Sequence, residues 1–542
     1  MCRRDWLFGA IAVGALLSII AMLFPRATAT RRSAARLVAS RTPSANPMVH
    51  AAEALDKALP VARKHTARRR VEFADELTVA RRLALGLVGT IPSLEEIRWI
   101  EEQPAEERIP RWTERLLADR RWADYAAERL ARAYVGTEVG PFLVYRRRRF
   151  VSWLAEQLYA GRPYDAVVRE MIAAEGHWTD KPATNFITVT IEPQHGPRPN
   201  AARLAGRVTR AFLGLRLDCA ECHDHPFAPW KQDDFHGLAA FFGPTRQGFG
   251  GIEDGQDQYK LLNRAMGERQ QVDPKVPFGA EWLPREGHLR ARLAAWVTDP
   301  QNKSFGLATA NRVWALVCGL PLVEPIDDVT GETPPALSVL ADDFASGGYD
   351  MRRLIRGIAF SEAIRREGRE HVAKGDSAEV SALSNSWSAF PMSRLRPEQL
   401  SGAILQASSL VTIDRESPVL VRFARLVSES QFVGRFGDAG DQEFDERPET
   451  IPQRLLLMNG QLVQERTKQD LSNAATRIAL LAPDDATAVE TAYLAVLTRR
   501  PSPAEQKHFV ARLAGARRNE RQSRLEDLYW SLINSTEFAW NH

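Results

Sequence analysis

The stretch Pro-Ser-Leu-Glu-Glu-Ile-Arg-Trp-Ile, residues 92–100, contains a complete signal for the start of an α-helix. Ser93 is placed to accept a hydrogen bond from the backbone amide of Glu96, and the Glu96 carboxylate can accept one in return from the amide of Ser93. The pattern recurs at residues 502–505, Ser-Pro-Ala-Glu, with proline at the first helical position. Both patterns predict helices, one near each end of the folded chain.

Helical periodicity extends through most of the chain. Apolar residues recur every three or four positions in residues 112–134, 164–174, 201–215, 289–297, 308–317, 351–360 and 525–533. Strand-like alternation is scarce, and residues 187–191 are the best candidate strand. Residues 412–450 look irregular. The sequence therefore predicts a mainly α fold with few short strands.

The length of the chain indicates more than one folded domain, because 542 residues exceed what a single core normally holds. Residues 244–285 are rich in Gly, Asp, Gln and Pro and have weak periodicity, which indicates a linker. We therefore expect one helical domain at residues 71–243 and a second at residues 286–542.

The N-terminus carries the features of an export signal. Arg3 and Arg4 precede an uncharged apolar run at residues 6–24, and Ala-Thr-Ala at 27–29 is a pattern that a signal peptidase could accept. The apolar run is also long enough to span a bilayer. Residues 1–30 are thus predicted to be a signal peptide or a membrane anchor, and the sequence does not choose between the two.

Residues 31–70 are predicted to be a basic, flexible tether. Residues 26–70 hold 11 Lys or Arg against only Glu53 and Asp56, and positive flanks tend to stay in the cytoplasm. We give more weight to the cleavage-like pattern, and expect the body in the cell envelope, on the extracytoplasmic (periplasmic) side, anchored in the membrane through residues 6–24. Residues 1–70 carry a net charge of about +10 against the chain's total of +4, so the remaining body is mildly acidic at about −6, and no nucleic-acid partner is expected.

The pattern Cys-x-x-Cys-His occurs once, within Leu-Asp-Cys-Ala-Glu-Cys-His-Asp-His-Pro-Phe-Ala-Pro-Trp at residues 217–230. Two thiols three residues apart can each add to one vinyl group of a single porphyrin, and the adjoining imidazole can bind the iron from one side. Cys219 and Cys222 are thus the predicted thioether donors of a c-type haem, and His223 is its predicted proximal ligand. The sequence does not identify a distal ligand.

Other interpretations of this peptide remain open. Cys219 and Cys222 could form a disulfide or be structural thiols. A zinc or iron site that activates water could also be built here from imidazoles and carboxylates. The candidate imidazoles are His223, His225 and His236, and the candidate carboxylates are Asp224, Asp233 and Asp234. In a structural interpretation, Asp233 instead caps a helix that begins near Phe235.

A second polar group lies further along the chain. Arg312 follows Asn311 on an otherwise apolar predicted helix, so we expect its guanidinium to be buried and to need a carboxylate partner. Asp327 or Asp328 is the predicted partner. This interpretation favours a structural ion pair over a clamp for a substrate anion.

Several segments also match known family patterns. Residues 89–96 (Gly-Thr-Ile-Pro-Ser-Leu-Glu-Glu), 120–122 (Arg-Arg-Trp), 163–165 (Pro-Tyr-Asp) and above all 213–242 carry the first match. Through them, residues 71–243 resemble the planctomycete-type cytochrome-C-like domain abbreviated PSCyt. Through Ala-Asn-Arg-Val-Trp at 310–314 and Leu-Val-Glu-Pro-Ile-Asp-Asp at 322–328, among others, residues 286–542 resemble its partner domain, abbreviated PSD.

Both of these domains have no known function, so the resemblance implies a secreted or envelope protein with a haem site but no reaction. The chain lacks the separate cytochrome domain of larger relatives, which leaves Cys219, Cys222 and His223 as its haem candidate. Genes of this family often lie near those of secreted polymer-degrading proteins, and that analogy suggests a role in an extracellular assembly.

Together these observations predict an exported, c-type-cytochrome-like protein that binds one covalent haem and transfers electrons to a redox partner protein. Two alternatives remain: a zinc- or iron-dependent envelope enzyme, and a non-catalytic assembly module for extracellular polymer degradation. The sequence leaves open whether the chain is an enzyme.

Overall fold

The computed structural model describes residues 46–59, 73–137, 145–192, 196–263, 267–368, 387–437 and 450–542. Within these residues the chain is mainly helical, as predicted, with few short strands. No helix in this part of the chain is both long and apolar enough to cross a membrane. The signal peptide or anchor predicted at residues 1–30, with its apolar run at 6–24, lies outside the described residues.

The α-helices are numbered in chain order. The first eleven are α1 (Asn46–Ala58), α2 (Glu76–Val88), α3 (Leu94–Glu101), α4 (Arg108–Ala118), α5 (Arg120–Val135), α6 (Arg147–Tyr159), α7 (Tyr164–Ala173), α8 (Asn185–Thr188), α9 (Ala201–Val208), α10 (Gln232–Ala240) and α11 (Leu289–Val297). The remaining ones are α12 (Lys303–Cys318), α13 (Pro335–Ser346), α14 (Met351–Ala359), α15 (Glu362–Arg365), α16 (Pro397–Ala407), α17 (Val419–Phe436), α18 (Ile451–Asn459), α19 (Gln461–Thr467), α20 (Ala474–Leu481), α21 (Asp485–Leu497), α22 (Pro503–Leu513) and α23 (Arg518–Ile533).

Both predicted capping boxes are confirmed. At the start of α3, the amide of Glu96 donates to Ser93 Oγ (3.0 Å) and the amide of Ser93 donates to Glu96 Oε2 (2.9 Å). The other carboxylate oxygen of Glu96 accepts from the buried guanidinium of Arg121 at 2.5 Å. The cap therefore also fixes α3 against α5. Ser502 and Glu505 form the equivalent pair at the start of α22.

In the part of the chain that the structure describes, the strands form three antiparallel pairs. They are β1 (Thr245–Gly248) with β2 (Gly251–Asp254), β3 (Lys260–Asn263) with β4 (Glu268–Gln271), and β5 (Ser393–Arg394) with β6 (Trp540–Asn541). The first two pairs are hairpins inside the predicted linker at residues 244–285. That segment therefore contains regular structure, although its hydrophobic periodicity is weak.

Two predictions of local structure are wrong. Residues 187–191 are not a strand, because α8 covers the first two of them. The amide of Asn185 holds that helical turn by donating to the carbonyl of Pro182 at 2.8 Å and accepting from the backbone amide of Arg146 at 2.7 Å. Residues 412–450 are not wholly irregular either, since α17 lies within them.

Buried apolar side chains form two clusters. The first is built mainly from residues 55–390, with Leu494 added from α21, and contains four fully buried tryptophans. The second is built mainly from residues 395–538. Helices on both sides of the predicted linker thus share the first core, and the two cores divide mostly between Phe390 and Leu395, with Leu85 and Ile91 in the second core and Leu494 in the first. The domain bounds given by the sequence remain a prediction.

The prediction of a flexible tether at residues 31–70 is wrong for residues 46–59. This segment forms α1, which packs on α13 and α14. Leu55 and Leu59 are buried in the first core, and burial of such side chains stabilises a helix that the basic composition of the segment does not suggest.

Helix α2 connects the two cores. Its adjacent arginines, Arg81 and Arg82, are buried. Arg82 donates to the carbonyl oxygens of His542 (2.6 Å) and Arg366 (2.7 Å), and Arg81 donates to that of Phe538 (3.1 Å). Burial lowers the pKa of both guanidinium groups to about 10. Both therefore stay charged at neutral pH and bind the last residues of the chain.

The close contact between α2 and α12 supplies a test. A Cβ atom on Gly86 would lie 2.5 Å from the carbonyl oxygen of Val317. We expect Gly86→Ala to lower the free energy of unfolding by about 1–3 kcal/mol, because overpacking forces the two backbones apart. Urea denaturation followed by circular dichroism measures this change.

The matched control is Gly434→Ala in α17, where a Cβ atom meets nothing within 4 Å. Alanine there should raise the free energy of unfolding by about 0.5–1 kcal/mol, because it favours the helix over glycine. If the two substitutions had the same effect, the close packing of α2 on α12 would be contradicted.

Candidate functional site

The Cys-x-x-Cys-His peptide follows an unusual helix end. Helix α9 continues into a π-helical turn, Thr209–Leu213, which ends at Gly214 in the left-handed conformation (φ 60°). A Cβ atom on Gly214 would lie 2.5 Å from Val329 Cγ2, so glycine is required by both conformation and space. A 3₁₀ turn, Asp218–Glu221, then presents the motif.

This turn is packed tightly on α9. Gly206 lies so near Asp218 that a Cβ atom would come within 2.5 Å of the Asp218 carboxylate. Asp218 also pairs with Arg210 at 3.3 Å, and Leu217 and Ala220 are buried. Leu217 and Ala220 therefore anchor the turn to the body, while Cys219 and Cys222 face solvent.

Cys219 and Cys222 are both free and exposed. Neither a disulfide between them nor burial of the pair is present, so the two structural interpretations of these thiols are not supported by this arrangement. Cys318 differs from them, because it is fully buried in the first core and burial raises the pKa of its thiol.

His223 is exposed, and one hydrogen bond fixes its tautomer. Its Nδ1 lies 2.8 Å from the carbonyl oxygen of Asp224. Because a carbonyl oxygen can only accept, Nδ1 carries a hydrogen, and in the neutral imidazole Nε2 then keeps its lone pair. Nε2 makes no hydrogen bond with the described residues. The imidazole is therefore oriented as a one-sided ligand.

Helix α10 holds the motif in place. Gln232 Nε2 donates to the carbonyl oxygens of Glu221 and Cys222, both at 3.2 Å, and the amide of Gln232 donates to Asp224 Oδ1 at 2.9 Å. The first turn of this helix thereby binds both the thiol segment and the residue that orients His223.

His236, on the same helix, has a structural role. Its Nε2 donates to the carbonyl oxygen of Glu221 at 3.0 Å, so its Nδ1 accepts from the hydroxyl of Tyr259, also at 3.0 Å. Burial, together with the nearby Glu221 carboxylate, raises the pKa of Tyr259 to about 12, and its hydroxyl remains a donor. Both ring nitrogens of His236 are thus occupied.

The remaining residues of the predicted metal set are dispersed. His225 Nδ1 accepts from the amide of Phe227 at 3.2 Å. Asp234 accepts from the amide of Lys231 at 3.0 Å and pairs with Lys275 at 3.2 Å. The prediction that Asp233 caps a helix near Phe235 is therefore wrong, since α10 begins at Gln232 and the carboxylate of Asp234 closes its first turn.

Within the described ranges, a different trio brings three possible ligand atoms within 4.8 Å of one another: Glu175, Asp254 and His288. The buried guanidinium of Arg290 lies among them, 2.9 Å from Asp254 and 3.7 Å from Glu175. The carboxylates already neutralise a cation, so this group is an ion-pair cluster. Sequence analysis missed it because its members are far apart in the chain.

The predicted pairing of Arg312 with Asp327 or Asp328 is wrong. Arg312 is buried as expected, but Asp327 binds Arg216 (2.8 Å from Arg216 Nε), and Asp328 accepts from the hydroxyl of Thr330 at 2.6 Å. Sequence proximity suggested the partners, whereas the loop after α12 brings Asp327 to Arg216 and Asp328 to Thr330.

Asn311 fixes that loop. Its Oδ1 accepts from the amides of Leu322 (2.9 Å) and Val323 (3.0 Å), and its Nδ2 donates to the carbonyl oxygen of Val323 at 2.8 Å. The side chain thus satisfies three backbone groups of the loop, which is a structural role.

Comparison with known proteins gives two matches along the chain. Residues 55–247 match the PSCyt2 family, described as a protein of unknown function (DUF1549), and residues 289–431 match the PSD1 family, described as a protein of unknown function (DUF1553). The first match contains the whole of the Cys-x-x-Cys-His site. No curated protein and no solved structure matches the chain.

The contrast between the thiols supplies a prediction. In native protein produced without haem, iodoacetamide should label Cys219 and Cys222 rapidly and leave Cys318 unmodified, because only the first two are exposed and burial raises the pKa of the third. Mass spectrometry of tryptic peptides reports each site separately. Cys318 should become reactive only in urea; protection of Cys219 or Cys222 in the native protein would contradict the exposed turn.

Proposed function

Because this chain carries a PSCyt2 domain followed by a PSD1 domain, with Cys-x-x-Cys-His inside the first, we propose that it is a c-type-cytochrome-like envelope protein. It holds one haem covalently through Cys219, Cys222 and His223 and passes electrons to a partner protein. A bound haem supplies one-electron redox chemistry at its iron.

The hydrogen bond from His223 Nδ1 to the carbonyl oxygen of Asp224 carries this proposal. A histidine that binds a metal through one ring nitrogen commonly donates the hydrogen of the other to a carbonyl or carboxylate. His223 has this arrangement. Asp224 is itself held by Gln232, so hydrogen bonds of the protein alone orient the ring for a ligand at Nε2.

The two thiols meet the second requirement. Cys219 and Cys222 would each form one thioether by adding Sγ–H across a vinyl double bond, with the thiol hydrogen transferred to the other vinyl carbon. This addition needs both groups free and accessible, as they are. The S–H bond and the π bond of the vinyl group are replaced by a C–S bond and a C–H bond. The addition causes no net oxidation, so it requires no external oxidant.

Exposure of the motif favours electron transfer over catalysis in a closed pocket. Cys219, Cys222 and His223 are all exposed, and Phe227 beside them is 94% exposed. A haem attached through these residues would be held by groups that a redox partner can reach from solvent.

Covalent haem attachment belongs outside the cytosol, so the proposal includes export. The apolar run at residues 6–24 and the Ala-Thr-Ala pattern at 27–29 support it. The body would then lie in the envelope on the periplasmic side, with residues 6–24 as a removed signal or a retained anchor.

The zinc or iron alternative receives less support. His236 has both ring nitrogens bonded, and no three of the predicted ligands converge among the described residues. A zinc- or iron-dependent enzyme would need three such ligands close together, whereas the haem proposal needs only one metal ligand from this set, His223.

The experiment is a haem stain on a denaturing gel of the full chain, produced together with a cytochrome c maturation system. We expect the wild type to stain and to show a Soret absorbance band, and the Cys219→Ala/Cys222→Ala double variant to lose the stain, because the linkage survives denaturation only if it is covalent. The matched control is His225→Ala, which should stain like the wild type, since His225 is bonded only within its own loop.

The outcome that overturns the proposal is a folded wild-type protein, recovered from the envelope fraction, that is colourless and still has both thiols free. Staining of the double variant at the wild-type level would equally exclude attachment at these cysteines. Recovery of the protein from the envelope fraction separates a failure of haem attachment from a failure of export.

A further inference from the structure

An open groove lies at the surface of the second core, between α19 and α23. These two helices pack directly on each other. The groove has a volume of about 520 Å³, which lies within the range of about 300–1,000 Å³ that is usual for small-molecule sites. Both polar and apolar surface line it, so polar side chains reach its interior. None of its lining residues belongs to the cysteine motif.

Trp530 supplies the aromatic surface of the groove. Its indole N–H donates to the carbonyl oxygen of Met458 in α18 at 3.1 Å, so the nitrogen edge of the ring is fixed. The side chain is nonetheless 36% exposed and lines the groove. A flat apolar surface that is already held in one orientation can bind a second flat surface at little cost in conformational entropy.

Helix α19 presents a row of polar side chains to the groove. Gln461, Gln464 and Lys468 follow one another at helical spacing, with Glu465 beside them, and Lys468 directly follows the last residue of the helix. Nε2 of Gln461 donates to Oε1 of Glu465 at 2.7 Å, which orients both groups. Carboxamide side chains supply donors and acceptors together.

Helix α23 adds two carboxylates, Glu526 and Asp527, beside the tryptophan. Burial and the charge of Asp527 raise the pKa of Glu526, although a hydrogen bond with Gln469 acts to lower it. A further hydrogen-bond donor would stabilise the charged form of Glu526. This side of the groove therefore favours a ligand that donates hydrogen bonds.

The groove continues beyond α19. A smaller pocket of about 40 Å³ shares Gln461 and Glu465 with it and extends along α17 to Phe432 and Arg435. The two pockets together form an elongated groove, with Trp530 at one end and Arg435 at the other. Such a shape fits a chain-like ligand better than a compact one.

The charges along the groove select against strongly charged ligands. Glu465, Glu526 and Asp527 would repel a polyanion, whereas Lys468 in the larger pocket and Arg435 in the smaller one would repel a polycation. An extended peptide is disfavoured as well, because the groove is lined by helices and offers no strand edge for a peptide backbone. A neutral ligand with apolar ring faces and many hydroxyl groups matches this lining.

We propose that this groove binds a neutral oligosaccharide chain. The C–H face of one sugar ring stacks on the Trp530 indole, whose π face is electron-rich. Hydroxyl groups of the sugar donate to the carboxylates of Glu526 and Asp527 and bond to the amides of Gln461 and Gln464. Further rings extend along the groove towards α17. This binding function is independent of the proposed haem and does not rest on it.

The test is isothermal titration calorimetry of the full-length protein with four neutral hexasaccharides: cellohexaose, maltohexaose, xylohexaose and mannohexaose. We expect saturable binding of at least one of them, with the same affinity in low and high salt, because the ligand carries no charge. Trp530→Ala should lower that affinity at least about tenfold, since an aromatic anchor usually dominates binding. The matched control is Phe423→Ala, which removes an exposed aromatic side chain of α17 outside the groove and should leave the affinity unchanged.

A second variant and thermal unfolding separate a binding defect from a folding defect. Gln464→Ala alters an exposed side chain, so it should keep the melting temperature of the wild type and weaken binding several-fold. The bound hexasaccharide should raise the melting temperature of the wild type more than that of Trp530→Ala. Binding of none of the four, or equal affinity in wild type, Trp530→Ala and Gln464→Ala, would overturn the proposal. Tighter, salt-dependent binding of a cationic glucosamine hexamer would also overturn it and indicate a cation site.

Discussion

The buried guanidinium groups of α2 are the interaction on which the rest of the structure depends. Arg82 donates to the carbonyl oxygens of Ile364, Arg366 and His542, so a single side chain joins the end of α15 to the end of the chain. On the same helix, Leu83 and Leu87 belong to the first core and Leu85 to the second. Because α2 contributes to both cores, the helices of the PSCyt2 region pack against residues of the PSD1 region. The motif in the first region is thus presented by a body to which both regions contribute.

The sequence predicted the parts of this fold that depend on local chemistry. The capping boxes at Ser93 and Ser502 involve residues three positions apart, and the helices follow from apolar spacing, so both can be recognised without tertiary information. Residues 187–191 show the limit, since their β-branched side chains favour a strand while hydrogen bonds of Asn185 impose a helical turn. The partners of Arg81 and Arg82 could not be predicted, because they are backbone carbonyls several hundred residues away.

In the candidate site, too, some features can be predicted from the sequence and others depend on the three-dimensional structure. The adjacency of Cys219, Cys222 and His223 is visible in the sequence, and their exposure agrees with a role at the surface. The role of His236 is not visible, because it depends on a carbonyl in the motif and on Tyr259 in a following segment. For Arg312, burial was predictable from the apolar helix, whereas the absence of a carboxylate partner among the described residues depends on how the next loop turns. Sequence reasoning thus identified the reactive groups but not the residues that orient or neutralise them.

In this account, an oriented imidazole and two accessible thiols are held on a rigid helical body for covalent haem attachment. The measurement that tests this most directly is the intact mass of the full chain produced with a cytochrome c maturation system, followed by peptide mapping. We expect a mass increase of one haem, located on the peptide that contains Cys219 and Cys222. An unmodified mass, with both thiols open to alkylation in protein recovered from the envelope, would contradict it.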